Sequence, residues 1–338
     1  MDLTRTEEQA ELAESARQLL HRHGLDWWPR AAAAGWSSLA VPEHRGGAGA
    51  SRSDLAVLFE ELGRAAVDAP VLDRLVLGPE LLMLLQPEGL ADFVAGINSG
   101  ATGIAVHVDD PVRIAIDRSR VRGRVRFARH LDGITHHLLI TADAWALVAS
   151  TAATIEPVHG FLPDAVSVSF DGATLAAGPL DSAARGDVDA CIVRALPLLC
   201  AYQVGSCQAV YELSLSYARE RVQFGKAIGT FQRVQDHVID IVNAADSARW
   251  ATNYAVWRSE GNGTALEQAV AAHVAKAVAA ESHVAACTSA HEVHAGIGAD
   301  VQYPLARYTY ASRALHARFG DPRAHRRRLG VLLGLATS

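Results

Sequence analysis

The spacing of apolar residues changes character twice along this chain. Over positions 6–20, Leu12, Ala16, Leu19 and Leu20 recur at helical intervals, and Gly24 is expected to close the segment. Thr6 followed three residues later by Gln9 reads as a capping box at its start. Pro42 and the glycines of VPEHRGGAGAS mark a turn, after which Ser53 is expected to cap a helix over DLAVLFEELGRAA, with Leu55, Leu58 and Leu62 on one face. Shorter helices are expected in LGPELLMLLQP and GLADFVAGI.

Over 102–180 the period falls to two. The β-branched runs GIAVHV, VRIAI, RVRGRVRF, HHLLITA, AWALVAS and AVSVSF are punctuated by Asp, Gly and Pro, which predicts a small antiparallel barrel or sandwich. Beyond Gly186, Ala-rich segments at 189–220, 230–260, 264–290 and 303–318 are long enough to pack as a four-helix bundle. The expected class is α+β, mainly α, with an N-terminal helical domain over 1–101, a middle β domain over 102–184 and a C-terminal helical bundle over 185–338.

Composition narrows the function classes. With 338 residues, half of them hydrophobic, the chain can bury a sizeable core. A net charge of -6, with Lys and Arg scattered among Asp and Glu, offers no nucleic-acid surface. Cys191, Cys200, Cys207 and Cys287 lack metal-binding spacing and are expected to be buried in the core. The polar, acidic N-terminus has no leader pattern, and no window approaches ~20 uninterrupted apolar residues, so no membrane association and a cytoplasmic location are expected. His136 and His137, adjacent on a strand, should point to opposite faces, which argues against a shared metal.

Three segments carry more specific information: VPEHRGGAGASRSDLAVLFEELGR, YARERVQFGKAIGTFQRVQDHVIDI and HEVHAGIGADVQYPLARY. In order and spacing they resemble the acyl-CoA dehydrogenase family. The middle one is the most specific, because R-x-Q-F-G followed at fixed distance by an F-Q pair rarely arises by accident. A guanidinium fork at Arg221 suits a pyrophosphate, and the Gln232 amide suits an adenine or ribose edge. The resemblance implies that Arg221, Phe224 and Gln232 reach across a subunit interface to the ADP half of FAD in a neighbouring protomer. It also implies that the backbone at Gly296 and Gly298 touches the same cofactor. Read without the resemblance, Arg221 would cap helix carbonyls and the glycines would form a connecting turn. Glu292 and Ala295 stand where the family commonly has Gln and Gly, and a carboxylate there would repel a pyrophosphate.

The chemistry implied by the resemblance, removal of an α-proton from an acyl-CoA thioester with hydride transfer to flavin, requires a carboxylate base. At the three places where members carry that Glu, this chain has Phe319, Ala195 and Gln203. An amide at Gln203 can position a carbonyl but cannot take the proton. Glu212 and Glu220 are expected to serve in surface ion pairs, and Asp321 is a weak further candidate. The loops that cradle the flavin ring in members are also missing: AVHVDDP and VRFARHLD stand in their places. The run RAHRRR over 323–328 reads as a solvated helix face or subunit contact more readily than as a CoA phosphate site.

The chain therefore resembles the smaller, non-catalytic subunits of heteromeric bacterial acyl-CoA dehydrogenases, some of which act on steroid side-chain thioesters. That implies an acyl-CoA substrate, a homologous partner in a heterotetramer and an electron acceptor such as an electron-transfer flavoprotein. The competing expectations are a self-sufficient homo-oligomeric dehydrogenase with an unrecognised base, a flavin-independent dehydratase or cyclase on the same scaffold, and a purely structural paralogue.

Overall fold

The computed structural model describes residues 4–23, 27–108, 114–117, 119–129, 131–163 and 165–336, with the side chains of His23 and Phe127 excepted. The stop expected at Gly24, the end of AVHVDDP and His130 within VRFARHLD lie outside the described residues. In chain order come α1 (Glu7–His23), α2 (Trp27–Ala33), α3 (Arg52–Arg64), α4 (Gly78–Leu85), α5 (Leu90–Asn98), β1 (Ile104–Val108), β2 (Ile114–Ile116), β3 (Arg120–Arg129), β4 (His136–Ile140), β5 (Ala144–Ala149), β6 (Ala153–Pro157), β7 (Ala165–Ala173) and β8 (Ala176–Pro179). The helical remainder is α6 (Ser182–Glu220), a short hairpin of β9 (Val222–Gln223) and β10 (Lys226–Ala227), α7 (Gln232–Ser259), α8 (Ala265–His294), α9 (Leu305–Ala317) and α10 (Pro322–Leu332).

The chain condenses into two compact units. One joins Met1–Arg22 and Arg52–Val67 to Leu196–Ser338; the other holds His23–Ser51 and Asp68–Ala195. In the first, α1 starts on the expected capping box, with Gln9 N–H donating to Thr6 Oγ1 and Thr6 N–H to Gln9 Oε1, both at 3.2 Å. Leu55, Leu58 and Leu62 are buried as their spacing predicts. Ser53 is not the cap of α3, which already begins at Arg52; the Ser53 N–H and hydroxyl instead donate to Glu260 Oε1. The buried Glu61 carboxylate accepts from Arg17 of α1, at 2.8 and 3.1 Å, which ties α1 to α3.

Backbone contact sets the crossing of α3 and α6. A Cβ added at Gly63 would lie 1.8 Å from Tyr202 O, and one at Gly205 would lie 1.8 Å from Glu60 O. Ser206 Oγ donates to Gly63 O and the Tyr202 hydroxyl to Val67 O, both at 3.0 Å, so the polar groups at this close approach are paired. Gly205→Ala is accordingly expected to destabilise the protein by about 3 kcal/mol, because neither opposing atom is a side chain that can swing away. A urea titration checks this.

Among the described residues α6 alone is long and apolar enough to cross a membrane, and 83% of its most apolar window is buried within the protein. The bundle has one helix more than the sequence suggests. The run RAHRRR lies on α10, capped by Asp321, whose carboxylate accepts from Ala324 N–H at 2.7 Å.

The second unit contains two four-stranded sheets, ordered β1-β4-β5-β8 and β2-β3-β7-β6. Ile114, Val121, Leu139, Val148, Val168 and Phe170 pack together in their core. The expectation of purely antiparallel pairing fails at one place. β1 and β4 are parallel, with Ile104 beside His136, because the chain between them builds β2 and β3 of the other sheet and returns in the same direction. His137 is buried with Nδ1 3.0 Å from His107 Nε2, whereas the His136 ring meets Phe93 edge-on. Among the described residues no three His, Cys, Asp or Glu side chains converge as a metal ion would need.

Candidate functional site

The R-x-Q-F-G stretch folds into a tight hairpin at the end of α6. Lys226 pairs with Gln223 and Ala227 with Val222, leaving Phe224 and Gly225 as a two-residue turn. Both turn residues have positive φ, 51° and 78°, as a hairpin of this length demands. Glycine adopts that backbone freely; phenylalanine does so at a cost of about 1 kcal/mol or more. The side chain held there is 91% exposed. Its inner edge meets the Phe231 ring at 6.1 Å, and the Lys226 ammonium sits 4.5 Å over the other aromatic. The backbone here is strained, and it holds a large apolar ring on the outside.

Arg221 links this hairpin to the helix. Its N–H donates to Tyr217 O and its carbonyl accepts from Ile228 N–H. The guanidinium is exposed and makes no hydrogen bond or ion pair with the described residues, so it does not cap the α6 carbonyls. Gln232 is exposed on the first turn of α7, next to Phe231.

The glycine-rich turn joins the same end of the bundle. His294, at the end of α8, stands between two hydroxyls: Nε2 is 3.2 Å from Ser214 Oγ and Nδ1 is 3.0 Å from Tyr303 Oη. The Tyr217 ring lies 4.5 Å from the imidazole. Burial holds His294 at a pKa of about 4, so the ring is neutral and can accept one hydrogen bond while donating the other. This network fixes the turn Ala295–Ala299 against the last turns of α6. In the turn, Gly296 is exposed and a Cβ there would meet nothing within 4 Å. Gly298 faces inward, where a Cβ would lie 3.1 Å from both His291 Nδ1 and His294 Cβ. Ala295 keeps a backbone suited to glycine, φ 52° and ψ -134°, at the position where the sequence departs from the family pattern. Sequence reasoning found the two ends of this arrangement but missed Ser214, Tyr217, His294 and Tyr303. Their only signal was the chance of meeting across 80 residues of chain, the separation of Ser214 and His294.

The positions considered for a base are chemically unsuited to it. Ala195 is buried, and Phe319 sits in a positive-φ turn beside Gly320. Gln203 is fully buried on α6, and neither its amide oxygen nor its nitrogen has a hydrogen-bond partner. Glu212 accepts from Arg64 and Gln208, the surface ion pair expected of it, whereas exposed Glu220 accepts from the Ser216 hydroxyl. Asp321 is the cap of α10, and the Ala324 N–H holds its carboxyl below the usual range. An unpartnered buried amide costs about 1–3 kcal/mol. Gln203→Leu is therefore expected to raise stability by about that amount, read as a higher midpoint in urea at unchanged slope.

The fold and these motifs define a known class. Residues 2–79 match the acyl-CoA dehydrogenase N-terminal domain and residues 194–330 the acyl-CoA dehydrogenase C-terminal domain. The chain belongs to the acyl-CoA dehydrogenase family, and its relatives named acyl-CoA dehydrogenases are oxidoreductases acting on a CH–CH bond. It is 29% identical over 340 residues to acyl-CoA dehydrogenase FadE28 of Mycobacterium tuberculosis, spanning 96% of this chain and 97% of that protein. Among solved structures it is similar to the Tcur3481-Tcur3483 steroid acyl-CoA dehydrogenase G363A variant, with a TM-score of 0.78 and 24% identity over 97% of this chain and 98% of that one. The ChsE4-ChsE5 complex from Mycobacterium tuberculosis superposes over 100% of both chains with a TM-score of 0.81 and 21% identity.

Proposed function

We propose that this chain is a subunit of a heteromeric acyl-CoA dehydrogenase, in which a homologous partner supplies the catalytic carboxylate and this chain completes the site of the partner's FAD. The carrying observation is a contrast within one helix. The end of α6 presents an unpaired guanidinium at Arg221 and an exposed ring at Phe224, while Gln203 near its middle is buried and uncharged. A chain that acted alone would need a base where this one has an amide.

The residues fit the ADP half of FAD. Arg221 offers a fork of donors for pyrophosphate oxygens, Gln232 an amide for a base or ribose edge, and Gly296 a backbone with open space for close approach. Phe224 excludes water from the contact and supplies a flat face. Exposed Glu292, Glu220 and Asp300 are groups of the wrong sign nearby in sequence. FAD, when bound, supplies the hydride acceptor. The proton from the carbon α to the thioester leaves to a carboxylate of the partner, since Gln203, Ala195 and Phe319 can accept none. The two-component solved relatives, one of them a steroid enzyme, support a heteromeric assembly and a bulky acyl group such as a steroid side-chain thioester. The assembly would need an electron acceptor, such as an electron-transfer flavoprotein.

Expression of the chain alone and together with a homologous acyl-CoA dehydrogenase encoded beside it tests this reading. Mass and flavin absorbance should show a lone chain poor in flavin and a symmetric heterotetramer with about one FAD per two chains. A lone chain that carries one FAD per protomer and is bleached by an acyl-CoA would overturn it.

A further inference from the structure

The β9–β10 hairpin sorts its side chains onto two faces. Residues directly opposite in an antiparallel pair point to one side, and the next pair along points to the other. Val222 and Ala227 therefore share a face, and Ala227 lines an apolar groove together with Arg219 and Val234. Gln223 and Lys226 share the opposite face. Arg221 stands across from Ile228, whose N–H donates to the Arg221 carbonyl at 2.8 Å, so it falls on the Lys226 side. Arg221 and Lys226 are then diagonal neighbours about 7–8 Å apart, and side chains of their length can meet on one ligand.

Lys226 is exposed and makes no hydrogen bond or ion pair with the described residues. A cation–π contact restrains its ammonium 4.5 Å over the Phe231 ring, one residue before Gln232. The other cations at this end are placed differently: Arg233 pairs with Asp236, and Arg219 lines the groove. The nearest acid in sequence, Glu220, accepts from the Ser216 hydroxyl. One face of the hairpin thus carries two cations within reach of each other, and no carboxylate of the described residues pairs with either. Like charges so placed repel unless an anion lies between them.

We infer that Lys226 is a second phosphate-binding residue of the cofactor surface, its ammonium matching one charge of the FAD pyrophosphate while Arg221 grips the other. A pyrophosphate diester carries two negative charges, and a single guanidinium balances only one. The ammonium is a point charge that adds attraction without setting orientation; the planar fork of Arg221 supplies the geometry. The inference rests on the reading that this chain completes the partner's FAD site, and it gives that site a charge balance that Arg221 alone does not.

Titration of the flavin-free assembly with FAD, using ADP and adenosine as competitors, tests it. Lys226→Met is expected to weaken FAD and ADP about tenfold, the usual worth of a hydrogen bond to a charged group, and to leave adenosine, which has no phosphate, unchanged. Lys226→Arg should restore most of the affinity. Arg219→Met removes an equal charge from the other face and should have no effect. Lys226 and Lys276 are the only lysines, and Lys276 is fully buried, so acetylation by sulfo-N-hydroxysuccinimidyl acetate, read by peptide mass, reports on Lys226 without a mutation. FAD should suppress it. Unchanged FAD affinity in Lys226→Met, an equal loss for adenosine, an equal effect of Arg219→Met, or acetylation that FAD does not alter would overturn the inference. Arg221→Ala keeps the two readings apart: if it weakens FAD while Lys226→Met does not, the partner-dependent site stands and only the role of Lys226 falls.

Discussion

Replacing Arg221 with alanine is expected to lower the FAD affinity of the assembled dehydrogenase by about thirtyfold or more. Truncating one partner of a hydrogen-bonded charge pair costs at least about 2 kcal/mol, and each 1.4 kcal/mol is a factor of ten. The loss should fall on the cofactor alone. Arg221 makes no side-chain bond within the described protein, so thermal unfolding of the flavin-free variant should match that of the flavin-free parent. Arg221→Lys should recover only part of the affinity, because an ammonium cannot grip two phosphate oxygens in a plane. Titration of the flavin-free assembly with FAD, followed by the change in flavin absorbance, gives the comparison. Equal affinity in parent and alanine variant would remove Arg221 from the cofactor site.

Mild acid should unfold this protein well before its carboxylates protonate. Burial holds His137, His273 and His294 at about 4 and His283 and His325 at about 3, against 6.5 for the free side chain. All five are at most 4% exposed. Between pH 6.5 and 4 the unfolded chain takes up protons at these sites and the folded chain does not. Their contribution to stability is therefore complete above pH 6.5, falls as pH drops below it, and stops changing once the folded sites protonate as well. One pKa unit is worth about 1.4 kcal/mol, so even two such groups consume much of a margin of about 5–15 kcal/mol. The His273–His325 contact is the most exposed to this effect: the two Nδ1 atoms are 2.8 Å apart and one must stay unprotonated to accept. Neighbouring Lys276 and Arg328 add further positive charge. Urea midpoints measured from pH 8 to pH 4 should be flat above 6.5 and fall steeply below it, with a shallower fall in His283→Phe. A flat profile down to pH 4.5 would contradict the assignment of these rings as neutral.

The helical parts of the fold were legible because their information is local. Thr6 with Gln9 and the Leu55, Leu58, Leu62 stripe are decided within a few residues, and they appear as read. The parallel pairing of β1 with β4 was not legible, since alternation of apolar residues is the same whichever way a neighbour runs. The run RAHRRR lies on the solvated helix face that the sequence suggests, but the extent of α10 was not legible because its only buried residues are Pro322 and His325. Ser53 was misassigned because its actual partner, Glu260, lies 207 residues away. At the candidate site, the motif located Arg221, Phe224 and Gln232, but nothing in it told that Phe224 would occupy a backbone region that disfavours it, or that Gly296 faces outward while Gly298 faces in.

The touching backbones of α3 and α6 also govern when this protein becomes foldable. Ser206 meets Gly63 across 143 residues, and Tyr308 donates to Arg64 O across 244. At a ribosomal pace of about 5–20 residues per second, the N-terminal helices wait roughly 10 to 50 s after emergence for the segments that cover them. During that interval Leu55, Leu58 and Leu62 have no partner of their own chain to pack against, which makes nascent α1 and α3 natural clients for a chaperone. A partner translated from the same message would emerge within the same window, and assembly could then compete with aggregation while the last helices are still being made.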